Sequence, residues 1–159
     1  MDNDSNECIF NKGKMYLNNI KWRMLSEYID NRLSISDEVN YMNIINPLRF
    51  KKNGKLVRNV ESKDLIDLLT RRIIVLNALE GNKFNLNNEY NLTIIGEKLQ
   101  WKENERYSNR QNSKMKLGGI VGNILIETEE IETKKLLIAG ELVHIGKSTA
   151  FGLGDYLLY

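Results

Sequence analysis

The most distinctive chemistry in the sequence is a glycine-rich segment at 146–154, which reads Gly-Lys-Ser-Thr-Ala-Phe-Gly-Leu-Gly. Three glycines in nine residues let the backbone approach a ligand closely and direct N–H groups toward it. Phosphate suits such a loop, and Lys147 would add a mobile positive charge. Glycine count alone favours a structural turn, so both interpretations stay open. The candidate ligand-binding residues of this loop are Gly146, Lys147, Ser148, Gly152 and Gly154.

Two familiar phosphate-binding motifs do not match this segment. A P-loop needs its Lys-Ser/Thr pair after the second glycine, where a helix begins. A dinucleotide fingerprint follows a strand and opens a helix, whereas this segment follows a predicted helix and precedes a predicted strand. The loop therefore indicates neither of these nucleotide-binding classes.

His144, the one histidine of the chain, lies two residues before the glycine-rich segment. Imidazole titrates near neutral pH, which suits proton transfer. Glu141, three residues earlier, shares its predicted helical face and could orient the ring. The alternative is a histidine that caps the helix by binding its last carbonyl groups. His144 is thus a candidate catalytic residue with a structural alternative.

The positive charge is unevenly distributed, although the formal net charge is only +2. The segment 49–58 contains five basic residues and no acidic one, and 102–116 contains five basic and two acidic residues. Basic patches on a near-neutral chain indicate a local polyanion site. Solvated loop faces explain the charge equally well.

Arg72 interrupts an apolar helical stripe. This position predicts a side chain that snorkels along the apolar edge or, alternatively, one that forms a buried ion pair or contacts RNA.

The remaining composition excludes several classes of protein. The single cysteine, Cys8, cannot form an internal disulfide. No apolar run approaches the roughly 20 residues of a membrane span, and the acidic, polar start does not resemble a signal peptide. We therefore predict a cytoplasmic protein with no membrane partner. Without a Cys/His cluster, the sequence also predicts no metal site and no cofactor.

Apolar periodicity and capping signals predict the secondary structure, with Ser62 as the N-cap of the helix that begins near residue 62. The strands are expected near 39–50, 92–101, 115–126 and 154–159, and the helices near 62–80 and 130–145. Asn53-Gly54 predicts a tight turn, and 102–114 predicts a long loop or a hairpin arm. A weaker pattern at 14–33 predicts a short strand and a helix.

The order strand, helix, strand, strand, helix, strand predicts an α+β, ferredoxin-like (RRM-like) βαββαβ fold. Such a fold is an antiparallel sheet with two helices on one face. Gly140 inside the second helix predicts close packing against that sheet, since glycine otherwise costs about 1 kcal/mol in a helix.

Four segments in order resemble the RAMP superfamily of CRISPR systems, and within it the family that processes precursor CRISPR RNA (crRNA). They are Asn-Pro-Leu-Arg-Phe-Lys-Lys-Asn-Gly at 46–54, Arg-Tyr-Ser-Asn-Arg-Gln at 106–111 with Lys-Leu-Gly-Gly-Ile-Val-Gly at 116–122, Glu-Leu-Val-His-Ile-Gly-Lys at 141–147, and the glycine-rich segment continued to Tyr156. The resemblance covers about residues 39 to 159.

The resemblance implies two tandem ferredoxin-like domains. Residues 39–159 would be the RAMP domain with its C-terminal glycine-rich loop, and residues 1–38 a polar tail and the remnant of a preceding domain. It implies a metal-independent endoribonuclease that binds CRISPR repeat RNA and cuts precursor crRNA. The 2′-hydroxyl would attack the adjacent phosphate and leave a cyclic phosphate. In many relatives the catalytic histidine lies on the first domain. His144 is the candidate within this chain, and if the catalytic residue belongs to the N-terminal domain instead, this chain alone would be inactive.

The resemblance also implies the RNA contacts. Beyond the loop they are Arg106, Tyr107, Arg110, Lys114 and Lys116, although a core position for Tyr107 is an equal alternative. A second function, in a different class, is a non-catalytic RAMP subunit that holds guide RNA beside other CRISPR effector subunits. A third is a plain ferredoxin-like interaction domain.

Overall fold

A computed structural model describes most of the chain. It covers residues 10–11, 14–15, 24–35, 40–79, 81, 89–108 and 112–159. Cys8 and most of the predicted polar tail lie outside the described residues, as does Arg110. The first elements are two short paired strands, β1 (Phe10–Asn11) and β2 (Lys14–Met15), so strand structure does occur near the start of the predicted 14–33 segment.

The centre of the fold is a four-stranded antiparallel sheet. Its strands are β3 (Tyr41–Leu48), β6 (Thr93–Lys102), β9 (Gly119–Glu127) and β10 (Tyr156–Leu158). They lie side by side in the order β10-β3-β9-β6. This is the fourth, first, third and second strand of the βαββαβ unit, so the predicted ferredoxin-like fold is confirmed.

Two helices connect these strands and cover one face of the sheet. They are α2 (Ser62–Leu79) and α3 (Ile131–Val143). Alternate residues of the strands point toward them, including Met42, Ile124 and Tyr156, all at most 1% exposed. Period-two burial of this kind is what a half-buried strand predicts. The core therefore lies between the helices and this single sheet face.

A third helix, α1 (Leu25–Ile35), packs on α3. It lies within the segment where the sequence predicted a helix after a short strand. Its partly buried Tyr28, Ile29 and Leu33 contact the main core. The Arg32 guanidinium donates to the Leu158 carbonyl of the C-terminal strand at 2.9 Å, and the Tyr28 hydroxyl donates to Glu141 of α3 at 3.2 Å. Helix α1, which precedes residue 39, thus packs on the same core as the sheet and the other two helices.

The start of α2 is capped by its own third residue. The Asp64 carboxylate accepts the Glu61 backbone N–H at 2.9 Å, as in one half of a capping box. Ser62, which the sequence predicts as the N-cap, instead accepts the Ile94 backbone N–H at 3.0 Å. The helix begins where predicted, but its capping residue is different, and the serine joins the helix to β6.

Gly140 marks the closest approach of α3 to its neighbours. A Cβ at this position would lie 2.2 Å from Leu69 Cδ2 of α2 and 2.2 Å from the Tyr156 hydroxyl of β10. The Tyr156 hydroxyl donates to the Leu137 carbonyl, and complete burial raises the pKa of Tyr156 well above its ordinary value. The predicted close packing is confirmed, and it involves the other helix as well as the sheet.

Two small hairpins lie beside the sheet. Strands β4 (Lys51–Lys52) and β5 (Lys55–Leu56) are joined through the predicted Asn-Gly turn, with both turn residues at positive φ. Strands β7 (Glu105–Ser108) and β8 (Ser113–Lys116) form the predicted hairpin arm. The strand predicted at 115–126 is therefore wrong at its start. Residues 115 and 116 belong to the hairpin, and β9 begins at Gly119.

Candidate nucleic-acid interface

The glycine-rich loop leaves α3 and is fixed to the sheet by backbone hydrogen bonds. The Lys147 N–H donates to the Arg49 carbonyl at 2.7 Å, and the Gly154 N–H donates to the Pro47 carbonyl at 3.1 Å. The loop closes on itself through the Ile145 N–H and the Gly154 carbonyl, at 3.0 Å. Both ends of the loop are thus positioned by the strand end that holds the sequence's one proline.

The glycines of this loop serve different purposes. A Cβ on Gly154 would lie 1.7 Å from the Ile145 carbonyl oxygen, and one on Gly146 would lie 2.6 Å from the Arg49 carbonyl oxygen. The close approach at these two positions is therefore to the protein's own backbone. Gly152 faces open space and has φ of 77°, so it supplies only the left-handed turn.

The outer part of the loop presents polar groups to solvent. Ser148 has φ of 66°, and Thr149–Phe151 form a single 3-10 turn. Among the described residues, no acceptor is recorded for the N–H groups of Thr149 and Ala150. The exposed Lys147 side chain likewise has no acidic partner in the described part of the chain. This part of the loop has the donors that a phosphate requires.

The hairpin arm contacts the loop directly. The Arg106 guanidinium lies 4.0 Å from the centroid of the Phe151 ring, a distance at which a cation is attracted to an aromatic face. Tyr107 is 53% exposed, and its hydroxyl bonds to Asn112 on the same hairpin. A core position for Tyr107 is therefore excluded. We call Lys147, Phe151, Arg106, Tyr107 and Lys116 the loop–hairpin surface.

The other basic residues of the hairpin differ in their contacts. Lys114 lies 3.5 Å from the Glu105 carboxylate, with both side chains exposed. The Lys116 side chain is exposed, while its carbonyl accepts a 3.0 Å hydrogen bond from Arg49. Arg110 lies outside the described residues. Lys116 is thus available to a ligand, and Lys114 already has a weak partner.

His144 lies immediately after α3, with φ of 56° and ψ of 157°. Its Nε2 is 3.8 Å from Asp155 Oδ1, and Asp155 also accepts a hydrogen bond from the Asn46 amide at 3.0 Å. The imidazole is 30% exposed. The imidazole is therefore partly accessible and lies beside a carboxylate that Asn46 holds in place.

Glu141 does not orient His144, contrary to the sequence-based expectation. Its carboxylate accepts the Leu158 backbone N–H at 3.1 Å and the Tyr28 hydroxyl at 3.2 Å. Burial and the adjacent Glu141 carboxylate raise the pKa of Tyr28. Helical spacing places Glu141 near His144 along the chain, but the turn at His144 directs the two side chains to different partners.

Arg72, and not His144, binds a carbonyl group at the end of α3, which was the structural alternative for His144. Its Nε donates to the Val143 carbonyl at 2.9 Å, at the last residue of α3. It therefore stabilises the end of a helix, where unsatisfied carbonyl groups favour a cation. The positive φ of His144 ends the helix, and the His144 side chain stays partly exposed.

A cavity of about 870 Å³ lies between α2, the β4–β5 hairpin and the start of the loop. We call it the helix cleft. Its basic lining residues are Lys51, Lys52, Arg71, Arg72 and Lys147, and its acidic ones are Asp64 and Asp67.

One of these lysines already has two acidic partners. Lys52 Nζ lies 2.9 Å from Asp64 Oδ1 and 3.0 Å from Glu61 Oε2. The hydrogen bond to Asp64, followed by that to Glu61, raises the pKa of Lys52. The cleft is thus basic overall but partly neutralised from within.

Sequence reasoning missed three contributors to this region. The Phe151 ring contacts Arg106 of the hairpin, and the Asp155 carboxylate lies 3.8 Å from His144 Nε2. The Arg49 guanidinium binds the Lys116 and Gly118 carbonyls at 3.0 and 3.2 Å. The sequence could have indicated Phe151, because an aromatic residue is conspicuous inside a glycine-rich segment. The other two depend on contacts between residues distant in sequence.

The described residues contain no group of three or more His, Cys, Asp and Glu side chains that could hold a metal ion. No helix in the described part of the chain combines the length and hydropathy required to cross a membrane.

Several solved structures share this architecture. A chain of a partial Cas6-RT-Cas1–Cas2 complex matches with a TM-score of 0.60 and 17% identity, over 85% of this chain and 26% of that chain. Cas6 from Thermus thermophilus matches with a TM-score of 0.50 and 11% identity, over 76% of this chain and 52% of that chain. A Cas6 product complex matches with a TM-score of 0.52 and 14% identity, over 76% of this chain and 50% of that chain. At these identities the likeness establishes the fold, and the chain spans between a quarter and about half of these proteins.

The comparison of sequences is more specific. No curated protein matches the chain. A family model does: that of the CRISPR-associated endoribonuclease Cas6, which matches residues 42–156. The matched region contains the sheet, the helices α2 and α3, the hairpin arm and the glycine-rich loop. The match covers well over half of the chain, which therefore belongs to the Cas6 family of CRISPR-associated endoribonucleases.

Proposed function

We propose that this chain binds CRISPR repeat RNA on the loop–hairpin surface and takes part in cutting precursor crRNA. The observation that carries the proposal is the contact between Arg106 and Phe151 at 4.0 Å. It joins the basic hairpin arm and the glycine-rich loop, which are separate in sequence, into one surface. Family membership supports RNA as the ligand.

Phosphate contacts supply most of the affinity in this proposal. The exposed Lys147 and Lys116 have no acidic partner among the described residues, so they can neutralise RNA phosphates without first losing an internal ion pair. The exposed Tyr107 ring offers a face for stacking an unpaired base. The Arg106 guanidinium, already placed on Phe151, would contact the backbone between these points.

The proposed reaction needs no metal. The 2′-hydroxyl loses its proton to a base, and its oxygen forms a bond to the adjacent phosphorus. The bond from phosphorus to the 5′ oxygen breaks, and that oxygen receives a proton. The products are a cyclic phosphate and a free 5′-hydroxyl, and donors near the phosphorane oxygens stabilise the transition state.

We assign the proton transfer to His144 and the transition-state charge to Lys147. The first role is supported by the partial exposure of the imidazole beside the loop and by its Nε2, which lies 3.8 Å from Asp155 Oδ1. Lys147 follows three residues later on a loop whose backbone is fixed by Arg49. Both residues are therefore held near one end of the sheet.

The chain spans only part of the Cas6 proteins that it resembles, and a second domain or another CRISPR subunit is a further proposed contributor to the site. The preceding domain that the resemblance implies, with residues 1–38 as its remnant, remains part of this proposal. One similar chain is in a complex named for Cas1 and Cas2, and such proteins are proposed partners here. A second proposed function, in which the chain holds guide RNA without cutting it, is supported by the exposed Lys147 and Lys116, which can bind phosphate whatever the role of His144.

A cleavage assay separates these functions. The purified chain is incubated with CRISPR repeat RNA in the presence of EDTA, and the products are resolved on a denaturing gel. We expect one cut whose upstream fragment ends in a cyclic phosphate. Tight RNA binding without a cut would support the guide-holding function. If repeat RNA neither binds nor is cut, the proposal is wrong.

A further inference from the structure

A second, smaller cavity of about 270 Å³ lies at the base of the hairpin arm. It is bounded by the end of β6, the residues that follow β5 and the last residue of β8. The geometry points to a binding site for one unpaired RNA base that carries an amino group, cytosine above all. This inference rests on the proposed RNA-binding function and adds a base-selective site to it.

The cavity contains an aromatic ring and a stacked cation. The Arg58 guanidinium lies 4.9 Å from the centroid of the Trp101 ring. Trp101 is half-buried and packs against the core, so the indole is fixed, while Arg58 is exposed. Unpaired bases stack on aromatic rings and on guanidinium planes. Trp101 and Arg58 together therefore form a platform on which a base can stack.

The polar groups of the cavity are suited to a nucleotide. Arg49 and Lys116 line it beside Arg58, and Glu103 is its one acidic lining residue. The Arg49 guanidinium is held in place by the Lys116 and Gly118 carbonyls. Three cations around a single carboxylate favour a ligand that carries both a phosphate and a hydrogen-bond donor.

Glu103 provides the selectivity between bases. Its Oε1 accepts the Trp101 indole N–H at 2.6 Å, which fixes the carboxylate beside the ring. Among the described residues, Oε2 has no recorded hydrogen-bond donor. A carboxylate accepts a hydrogen bond from the cytosine amino group and repels the carbonyl oxygen that uracil has at the same position. The site should therefore distinguish these two pyrimidines, which have the same size.

Size and position also fit a single base. A volume of about 270 Å³ is below the roughly 300–1,000 Å³ of pockets that enclose drug-sized ligands. Arg49 connects the cavity to the loop–hairpin surface, because its carbonyl accepts the Lys147 N–H at 2.7 Å. An RNA strand on that surface can thus place a neighbouring base in the cavity.

The test uses the full chain with Trp22→Phe, which leaves Trp101 as the sole tryptophan. Labelled single-stranded octamers of cytidine and of uridine are titrated, with fluorescence anisotropy for binding and Trp101 emission for occupancy of the cavity. We expect quenching of Trp101 and at least about fivefold tighter binding of the cytidine octamer. Arg58→Ala should weaken binding of both octamers by roughly 5- to 150-fold, the range measured for loss of base stacking.

Glu103→Gln should bring the ratio of the two affinities close to one. Glu97→Gln, on an exposed residue of β6, makes the same change in charge and should leave the ratio unaltered. RNA binding without Trp101 quenching, or with equal affinities for both octamers, overturns the cavity assignment and leaves the proposed function intact. If repeat RNA and both octamers all fail to bind, the proposed function is overturned together with the inference.

Discussion

The helix cleft and the loop–hairpin surface are both basic, but they use their charges differently. In the cleft, Lys52 is bound to Asp64 and Glu61, and Arg72 is bound to the end of α3. On the loop–hairpin surface, Lys147 and Lys116 are exposed, and no acidic partner is recorded within the described ranges. Lys147 lines the cleft as well, so it stands at the boundary between the two regions.

This difference shows that the number of basic residues does not identify a binding surface. A lysine that already has two carboxylate partners gains less from a phosphate, since it must lose those partners first. A lysine without a partner releases counterions when RNA binds and contributes directly to affinity. The five basic residues at 49–58 therefore do not act as one patch, because Lys52 stabilises α2 while Arg58 lies on Trp101.

The largest expected effect concerns the chemistry at the loop end of the molecule. We expect His144→Ala to lower the rate of repeat RNA cleavage by about 10²–10⁴-fold, the usual contribution of a general acid or base. RNA affinity should barely change. Single-turnover cleavage and anisotropy on the same preparation would measure both quantities. Unaltered cleavage, accompanied by a loss of about 1 kcal/mol in the free energy of unfolding, would instead assign His144 to the end of α3.

The loop glycines should differ in their effect on stability. Gly154→Ala places a Cβ 1.7 Å from the Ile145 carbonyl oxygen at positive φ, so we expect a loss of about 2–3 kcal/mol in the free energy of unfolding. Gly152→Ala meets open space and should cost only about 1–2 kcal/mol, through its backbone conformation. Urea denaturation would measure the two variants. Equal losses would contradict the fixed position of the loop against its own backbone.

Salt dependence of RNA binding compares the two regions directly. Lys147→Ala should reduce the slope of log K against log salt concentration by about 0.7, the value for one phosphate contact on a single strand. Lys52→Ala should leave the slope unchanged and lower the thermal stability instead. A reduced slope for Lys52→Ala would show that the helix cleft also binds RNA.

The contact that joins the loop to the hairpin should contribute modestly. Phe151→Leu keeps an apolar side chain but removes the ring beneath Arg106, and exposed cation–π contacts are worth about 0.5–1 kcal/mol. We expect RNA affinity to fall by about two- to fivefold. Leu142→Ala, an exposed apolar position on α3, serves as a control. An unchanged affinity for Phe151→Leu would mean that the hairpin and the loop bind RNA independently.

The smallest expected effect is on alkaline stability. The pKa of Lys52 is raised in the folded chain, above its ordinary 10.5, so the folded state retains this proton more strongly than the unfolded state. The stabilisation is complete below about pH 10.5 and is lost as the pH rises through the folded pKa. Lys52→Met should flatten the decline in melting temperature above that pH, whereas Lys147→Met should not.

Much of the fold follows from local signals in the sequence. Alternating apolar residues predicted the strands that became β3 and β6, the apolar C-terminal run predicted β10, and a helical stripe predicted α2. Asn53-Gly54 predicted its turn because glycine readily adopts positive φ. The exception was β9, which begins at Gly119 and not at Met115. The apolar Met115 and Leu117 continue the alternation, so the pattern could not show that the chain leaves the hairpin there and enters the sheet.

What the sequence determined by itself was the kind of residue available to the site: a glycine-rich loop, one histidine and several basic residues. Only the tertiary structure decided the pairings. It placed Asp155 rather than Glu141 beside His144, and it paired Lys52 with Asp64 of α2. The physical reason is that periodicity depends on neighbours along the chain, whereas hydrogen bonds and ion pairs depend on distances between residues as far apart as Asn46 and Asp155.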